Sequence, residues 1–170
     1  HQLHRRQRQM CIRDRTEAPK SGYRLNVAMI VFNEENKVLL CRRKNSENWQ
    51  FPQGGVDDDE DITQAMYREL NEEVGLLPEQ VTITAQSKDL FYYDIPQNIR
   101  SMVLGGKFKG QAQKYFLLKL VSGKINLTKE SNPEFDDFNW VTFWYPLHKV
   151  VDFKKNVYRK ALNEFKDFLN

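Results

Sequence analysis

The stretch GGVDDDEDITQAMYRELNEEVGL, residues 54–76 of a 170-residue chain, carries the periodicity around which the rest is organised. Its two leading glycines end any strand before them and permit close backbone turns. Asp61 stands at a helix N-cap position, with Gln64 three residues on as the reciprocal partner of a capping box. Gly75 stands where a left-handed residue closes a helix. These signals predict a helix over residues 62–74. Met66, Leu70 and Val74, with Tyr67 beside them, form its apolar side. Glu69, Glu72 and Glu73 share an adjoining arc of about 100° within ~6 Å of axial rise, so three like charges crowd one patch.

Working outward, residues 25–32 form an apolar, β-branched run, residues 33–36 supply a turn, and residues 37–41 return as a second strand of a hairpin. A polar loop over residues 42–48 leads into Trp49-Gln50-Phe51-Pro52. Beyond the helix, residues 81–84, 90–93, 114–120 and 138–141 read as strands, while residues 131–137 read as a loop. Residues 155–169 repeat apolar side chains at helical spacing through Tyr158, Leu162, Phe165 and Leu169. Strands and helices intermix without regular βαβ alternation, so the fold class is α+β with a mixed sheet.

Composition bounds the possibilities. A 40% hydrophobic, 12% aromatic chain of this length fills one sizeable core. The formal charge of +3 is a property of the first twenty residues, which hold six bases and two acids and leave 20 bases against 21 acids in the remainder. Overall charge therefore carries no argument for nucleic-acid binding. Residues 1–20 have few apolar side chains and no periodicity; they read as a disordered or extraneous leader, with a nucleic-acid-binding arm as the alternative, and residues 21–170 as the domain. No apolar run approaches a membrane span or a signal peptide, so the expected location is cytoplasmic. Cys11 and Cys41 are too few for a disulfide framework and lack zinc-site spacing; Cys41 is most simply a small buried strand residue. The histidines, His148 included, show no readable pairing.

The acidic patch has two readings. It is either a solvated Glu-rich face, or a site where a hard cation offsets the repulsion; Mg²⁺ prefers oxygen ligands and bridges carboxylates to phosphates. The whole segment decides between them. Gly54, Glu60, Arg68-Glu69-Leu70, Glu72-Glu73 and Gly75-Leu76 meet the Nudix box at every defined position, and the chain resembles the Nudix hydrolases. That resemblance implies an α/β/α sandwich that holds Mg²⁺, or another divalent cation such as Mn²⁺, against a diphosphate. It makes Glu69, Glu72 and Glu73 metal ligands and Glu60 with Arg68 a supporting ion pair that positions the helix. A non-catalytic binding module of the same fold is disfavoured, because every acid of the box is present.

Outside the box, Gly22-Tyr23-Arg24, WQFPQGG at residues 49–55, Gly110-Gln111, Gln113-Lys114, Asn132-Pro133-Glu134-Phe135, Trp144-Tyr145-Pro146 and Phe153-Lys154 are similar to one bacterial branch of that family. Its members remove pyrophosphate from the 5′-triphosphate end of RNA, leaving a 5′-monophosphate that opens the message to decay. The branch that hydrolyses dinucleoside polyphosphates is the alternative, sharing the WQFPQGG-like entrance. The expected partner is 5′-triphosphorylated RNA, with no membrane and no readable activating protein. On this resemblance Arg24 and Arg43 are phosphate receptors, since guanidinium forks suit phosphate oxygens, although either also fits a surface charge at a strand end. Lys154 is a point-charge contact or a solvated lysine at a helix start. Phe153 stacks a base against an apolar wall at Val151, with Asn48 at the mouth, or else serves the core of the last helix. Glu134 joins the acids as ligand or base, leaving the general base open between Glu73 and Glu134.

Overall fold

The computed structural model describes residues 18–169. The expected helix forms as α1, Ile62–Val74, and its ends show why. Asp61 Oδ1 accepts from the Gln64 backbone N–H at 2.8 Å, and Gln64 Oε1 accepts from the Asp61 N–H at 2.9 Å. Gly75 closes the helix at φ 73°, where a Cβ would stand 2.8 Å from the Asn126 carbonyl oxygen. Only glycine meets both conditions without strain. Met66, Leu70 and Val74 are fully buried, each contributing roughly 1.5–3 kcal/mol of apolar transfer free energy.

The strands are β1 Tyr23–Phe32, β2 Val38–Arg43, β3 Trp49–Gln50, β4 Gln53–Gly55, β5 Val81–Gln86, β6 Phe91–Asp94, β7 Gly110–Leu120 and β8 Phe135–Val141. They build one sheet with β3, β2, β1, β7 and β5 in order, while β4 pairs with β1, β6 with β7 and β8 with β2. The β1/β7 pair is parallel, Tyr23 opposite Gly110 through Phe32 opposite Lys119, and the other ladders are antiparallel. The sheet is therefore mixed. Helix α1 covers one face and α3, Lys155–Phe165, the other; a short α2, Pro146–Lys149, precedes α3. Strand β1 explains its own apolar run: Val27, Met29 and Val31 pack on the α1 side, Ala28, Ile30 and Phe32 on the α3 side. A strand covered on both faces reads as continuous hydrophobicity rather than alternation.

Several expectations are corrected. Gly54 and Gly55 do not stand beyond a strand; they form the last two residues of β4, opposite Val27 and Asn26, because a ladder needs only backbone donors and acceptors. Strand β8 begins at Phe135, inside the expected loop, since Phe135 is buried while Asp136 and Asp137 mask the pattern. Strand β7 starts at Gly110, four residues early, because its first residues are buried polar ones. The last helix yields at Phe165 to a 3₁₀ turn over Lys166–Phe168. The leader reading lies, for residues 1–17, outside the described residues; Lys20 is exposed, its N–H donating to the Tyr92 hydroxyl at 3.1 Å and its ammonium 4.9 Å from that ring's centroid.

One tie matters for the site. The Tyr158 ring of α3 stacks on Phe51 at 4.5 Å between centroids, and its hydroxyl accepts from the Phe51 N–H at 2.9 Å. The loop leading into β4 is thereby fastened to α3. Among the described residues no helix is long and apolar enough to cross a membrane.

Candidate active site

Strand β1 changes neighbours along its length, pairing with β2 at Phe32 and with β4 at Asn26–Ala28. Around that change lies a cavity of about 610 Å³, within the ~300–1,000 Å³ range of small-ligand sites. It gathers residues far apart in sequence. Glu69, Glu73 and Glu134 supply acids; Arg24, Arg43 and Lys154 supply cations; Val151 and Phe153 supply apolar surface; Asn48 and Gly54 complete the lining.

The acids reach the cavity because β4 lets them. At Gly54 a Cβ would coincide with the Glu69 carboxyl group, and at Gly55 it would coincide with the Arg24 guanidinium. Two missing side chains thus make room for one acid and one cation, on opposite faces of β4. Glu73 is 8% exposed and its Oε2 accepts from the Gln53 N–H at 3.0 Å. Burial pushes its carboxyl well above the usual range, and the charges of Glu69 and Glu134 push the same way, while the Gln53 N–H opposes them. Glu69 is also raised, first by burial and then by Glu72 and Glu134, against the pull of Arg68. Glu134 approaches from the start of β8, its carboxylate 3.8 Å from Arg43 Nη2.

Arg68 organises the outer edge. Its Nε and Nη2 grip both Glu60 oxygens at 3.0 and 2.5 Å, Nη2 donates to the Gly55 carbonyl at 2.8 Å, and Nη1 reaches Glu69 at 2.7 Å and Glu72 at 3.3 Å. That hydrogen bonding lowers the Glu60 carboxyl and raises Arg68 further. Glu72 does not line the cavity; its side chain is 45% exposed and turned to Arg68. Gly75 is a helix terminus away from the cavity.

At the other end, Lys154 is buried, not solvated: it is 6% exposed, 3.5 Å from Gln50 Oε1 and 5.6 Å from the Tyr93 ring centroid. Burial brings its ammonium down to about 8, Arg43 adding to the effect and Glu73 opposing it. Phe153 is partly buried against Tyr93, centroids 5.8 Å apart, and also faces the cavity. Sequence reasoning assigned no role to Tyr93, Gln53 or Gln111, which complete the floor. Gln111 donates to the Tyr93 hydroxyl at 2.7 Å and leaves its Oε1 without a partner among the described residues. Gln113 donates to both Asn26 and Gln53 at 2.9 and 2.8 Å. The readable signal was a pair of glutamines two apart, Gln111 and Gln113, which share one face at the start of the strand.

Among the described residues no three acidic, histidine or cysteine side chains converge into a ready cage for a metal. The donor set nevertheless fits a divalent cation: all oxygen, two of the acids shielded from water, and their charges mutually repelling. Mg²⁺ commonly takes one or two carboxylates and completes its shell with water and phosphate, so no closed cage is needed.

The family profile described as NUDIX domain matches residues 22–164. A protein named RNA pyrophosphohydrolase from Francisella tularensis subsp. mediasiatica is 49% identical, covering 88% of this chain and 97% of its own. One of the same name from Francisella philomiragia subsp. philomiragia is 49% identical, covering 89% and 98%. Among solved structures, the E. coli dihydroneopterin triphosphate pyrophosphohydrolase superposes with a TM-score of 0.68 at 22% identity, covering 84% of this chain and 96% of that one. A C. elegans Ap4A hydrolase binary complex superposes with a TM-score of 0.63 at 22% identity, covering 85% and 98%. These two likenesses show the fold.

Proposed function

The chain belongs to the Nudix family, and from that premise we propose that it hydrolyses the 5′-triphosphate end of RNA, releasing pyrophosphate and leaving a 5′-monophosphate that exposes the message to decay. One observation carries the reading: a single cavity joins acids and guanidinium groups to an aromatic and aliphatic surface. A ligand that satisfies both parts is a polyphosphate bearing a base. The 49% identity to proteins named RNA pyrophosphohydrolase, over almost their whole length, supports RNA as the carrier of that end. An RNA substrate puts the activity in the cytoplasm.

In this reading water attacks phosphorus, the new oxygen–phosphorus bond forms as the anhydride oxygen leaves with pyrophosphate, and the water's proton passes to Glu73 or Glu134. Such reactions are driven mainly by positioning and charge neutralisation. Arg24 and Arg43 hold phosphate oxygens, and the Arg43 contact with Glu134 aligns the loop acid with the phosphate. Glu69, Glu73 and Glu134, which line the cavity, would hold the cation, and Glu72 would join them by turning in from Arg68. Mg²⁺, or Mn²⁺, supplies when bound the positive charge that keeps the acids ionised and offsets charge on the phosphoryl oxygens. Arg68 positions Glu69 through its paired grip on Glu60 and the Gly55 carbonyl. Phe153 and Val151 receive the base, Lys154 adds a charge beside it, and Asn48 borders the entrance.

The test is incubation with Mg²⁺ and either 5′-triphosphorylated RNA or diadenosine tetraphosphate in competition, with products separated by chromatography. Preferential conversion of the RNA to its monophosphate, with stoichiometric pyrophosphate, is expected. Preferential cleavage of the dinucleotide would transfer the assignment to the dinucleoside polyphosphate hydrolases.

A further inference from the structure

Part of the cavity wall is built by a segment with no part in the chemistry above. Between β6 and β7 the chain makes two 3₁₀ turns, Arg100–Met102 and Leu104–Gly106. Its base is pinned: the Arg100 guanidinium donates twice to the Ile95 carbonyl, at 3.2 and 2.9 Å. Its inner side chains, Ile99, Val103 and Leu104, pack against the α3-side core and line the cavity. Met102 is different. It is 75% exposed and outside that core cluster, yet lines the cavity as well. Leu104 holds φ at 52°, followed by Gly105 at 66° and Gly106 at 71°. A bulky side chain in the left-handed region is strained, and such strain gathers at ligand clamps and hinges.

The cavity is divided by polarity. Acids and arginines make up one part of its lining, and Met102, Leu104, Val151 and Phe153 belong to the apolar part that borders the remaining gap. The occupant of that apolar gap is joined to a polyanion and is flat enough for an aromatic wall, which describes a nucleobase. Methionine suits the task, because its unbranched thioether is polarisable, adapts to different shapes, and makes favourable contacts with aromatic rings. We propose that Met102 is a specificity-determining residue that, with Phe153, closes over the substrate's nucleobase, the Leu104-Gly105-Gly106 turn setting its reach. The proposal rests on the reading of the cavity as a site for a base-bearing polyphosphate, and assigns the recognition of the base to a loop outside the box.

Met102 is exposed, so Met102→Ala leaves the core untouched. Steady-state hydrolysis is measured for wild type and Met102→Ala on a 5′-triphosphorylated RNA and on the same RNA with abasic sugars at its first two positions. Met102→Ala should raise KM on the base-bearing RNA by about two- to tenfold, the range of sulfur–aromatic contacts, with kcat unchanged. On the abasic RNA the two proteins should share one KM. Met102→Leu should restore most of the affinity by refilling the gap. Equal KM values for wild type and Met102→Ala on the base-bearing RNA, or an equal loss on both RNAs, overturns the proposal. If wild type cleaves neither RNA, the RNA assignment is what has failed, and the same variants are compared on diadenosine tetraphosphate and inorganic tripolyphosphate. There a KM increase confined to the adenine-bearing substrate upholds the role of Met102, and no increase removes it.

Discussion

Gly54 and Glu69 occupy one another's space: the carboxyl group of the acid rests where the glycine's side chain would begin. The neighbour that must give way is the end of a flexible side chain, so Gly54→Ala should fold. Its thermal midpoint should move only slightly, given ~2–4 °C per kcal/mol for a domain of this size. Turnover should fall by about 10- to 100-fold, the scale seen when support of a metal-site ligand is lost, and the Mg²⁺ concentration for half-maximal activity should rise. Wild-type turnover and metal response in this variant would remove Glu69 from the site.

Glu73→Gln keeps size and the acceptor for Gln53 while deleting a charge. Turnover should drop by ~100-fold or more in saturating Mg²⁺. Stability without metal should move the other way. Because burial raises the folded-state carboxyl above its unfolded value of about 4.3, the folded protein binds more protons than the unfolded chain across that window. Wild type therefore loses stability as pH rises from the unfolded value through the folded one. Thermal melts in a chelator should show Glu73→Gln more stable than wild type, with the gap widening over that range and closing when Mg²⁺ is added to wild type.

Lys154 gives a second pH dependence. Its ammonium titrates at about 8 in the fold, against about 10.4 in an unfolded chain. Raising pH through 8 removes a positive charge beside the bound base, so KM for RNA should climb there. Over the interval between those values the unfolded chain holds the extra proton, and this residue's contribution to stability grows as pH rises. Lys154→Gln should show a higher KM at neutral pH and no further climb through 8.

Phe153 and Arg43 should separate by salt. With hydrolysis silenced by Glu73→Gln, Phe153→Ala should cost ~1–3 kcal/mol of RNA affinity and leave the salt slope intact, since stacking releases no counterions. Arg43→Ala should weaken binding and flatten the slope by about one phosphate contact. Binding isotherms across a salt series decide; superimposable lines for all three proteins would mean that neither side chain meets the RNA.

Deleting residues 1–17 should leave thermal midpoint and RNA turnover unchanged, because the family match begins only at residue 22. A large loss of RNA affinity on truncation would instead make the segment a nucleic-acid arm.

Helix α1 was legible to the residue because its limits are local, an Asp-Gln capping box and a left-handed glycine, and its apolar stripe repeats at 3.6 residues. The starts of β7 and β8 were hidden for the opposite reason. Gln111 and Gln113 are buried by partners such as Tyr93, Asn26 and Gln53, supplied by distant strands, so a polar composition disguises interior positions. Lys154 is the sharpest case: no local signal distinguishes a lysine shielded by Gln50 and Tyr93 from one in solvent. The family resemblance named Arg24, Arg43, Asn48, Val151 and Phe153, and the fold carries them to one cavity. It could not show Glu72 paired outward to Arg68, or the cavity face of Met102, since both depend on backbone placement that spacing does not encode.

The Tyr158 clasp on Phe51 sets an order of events during synthesis. A ribosome delivers β1, β4 and α1 early, yet β1 waits for β7 to fill its parallel side, and the Phe51 loop waits for α3 to accept its N–H. Such distant pairings make assembly slow relative to a chain built from local contacts. A nascent chain that has exposed every acid of α1 still lacks Phe153, Lys154 and the clasp. The aromatic and cationic end of the cavity is thus completed only when the turn at Asp152–Lys154 and the helix after it have emerged.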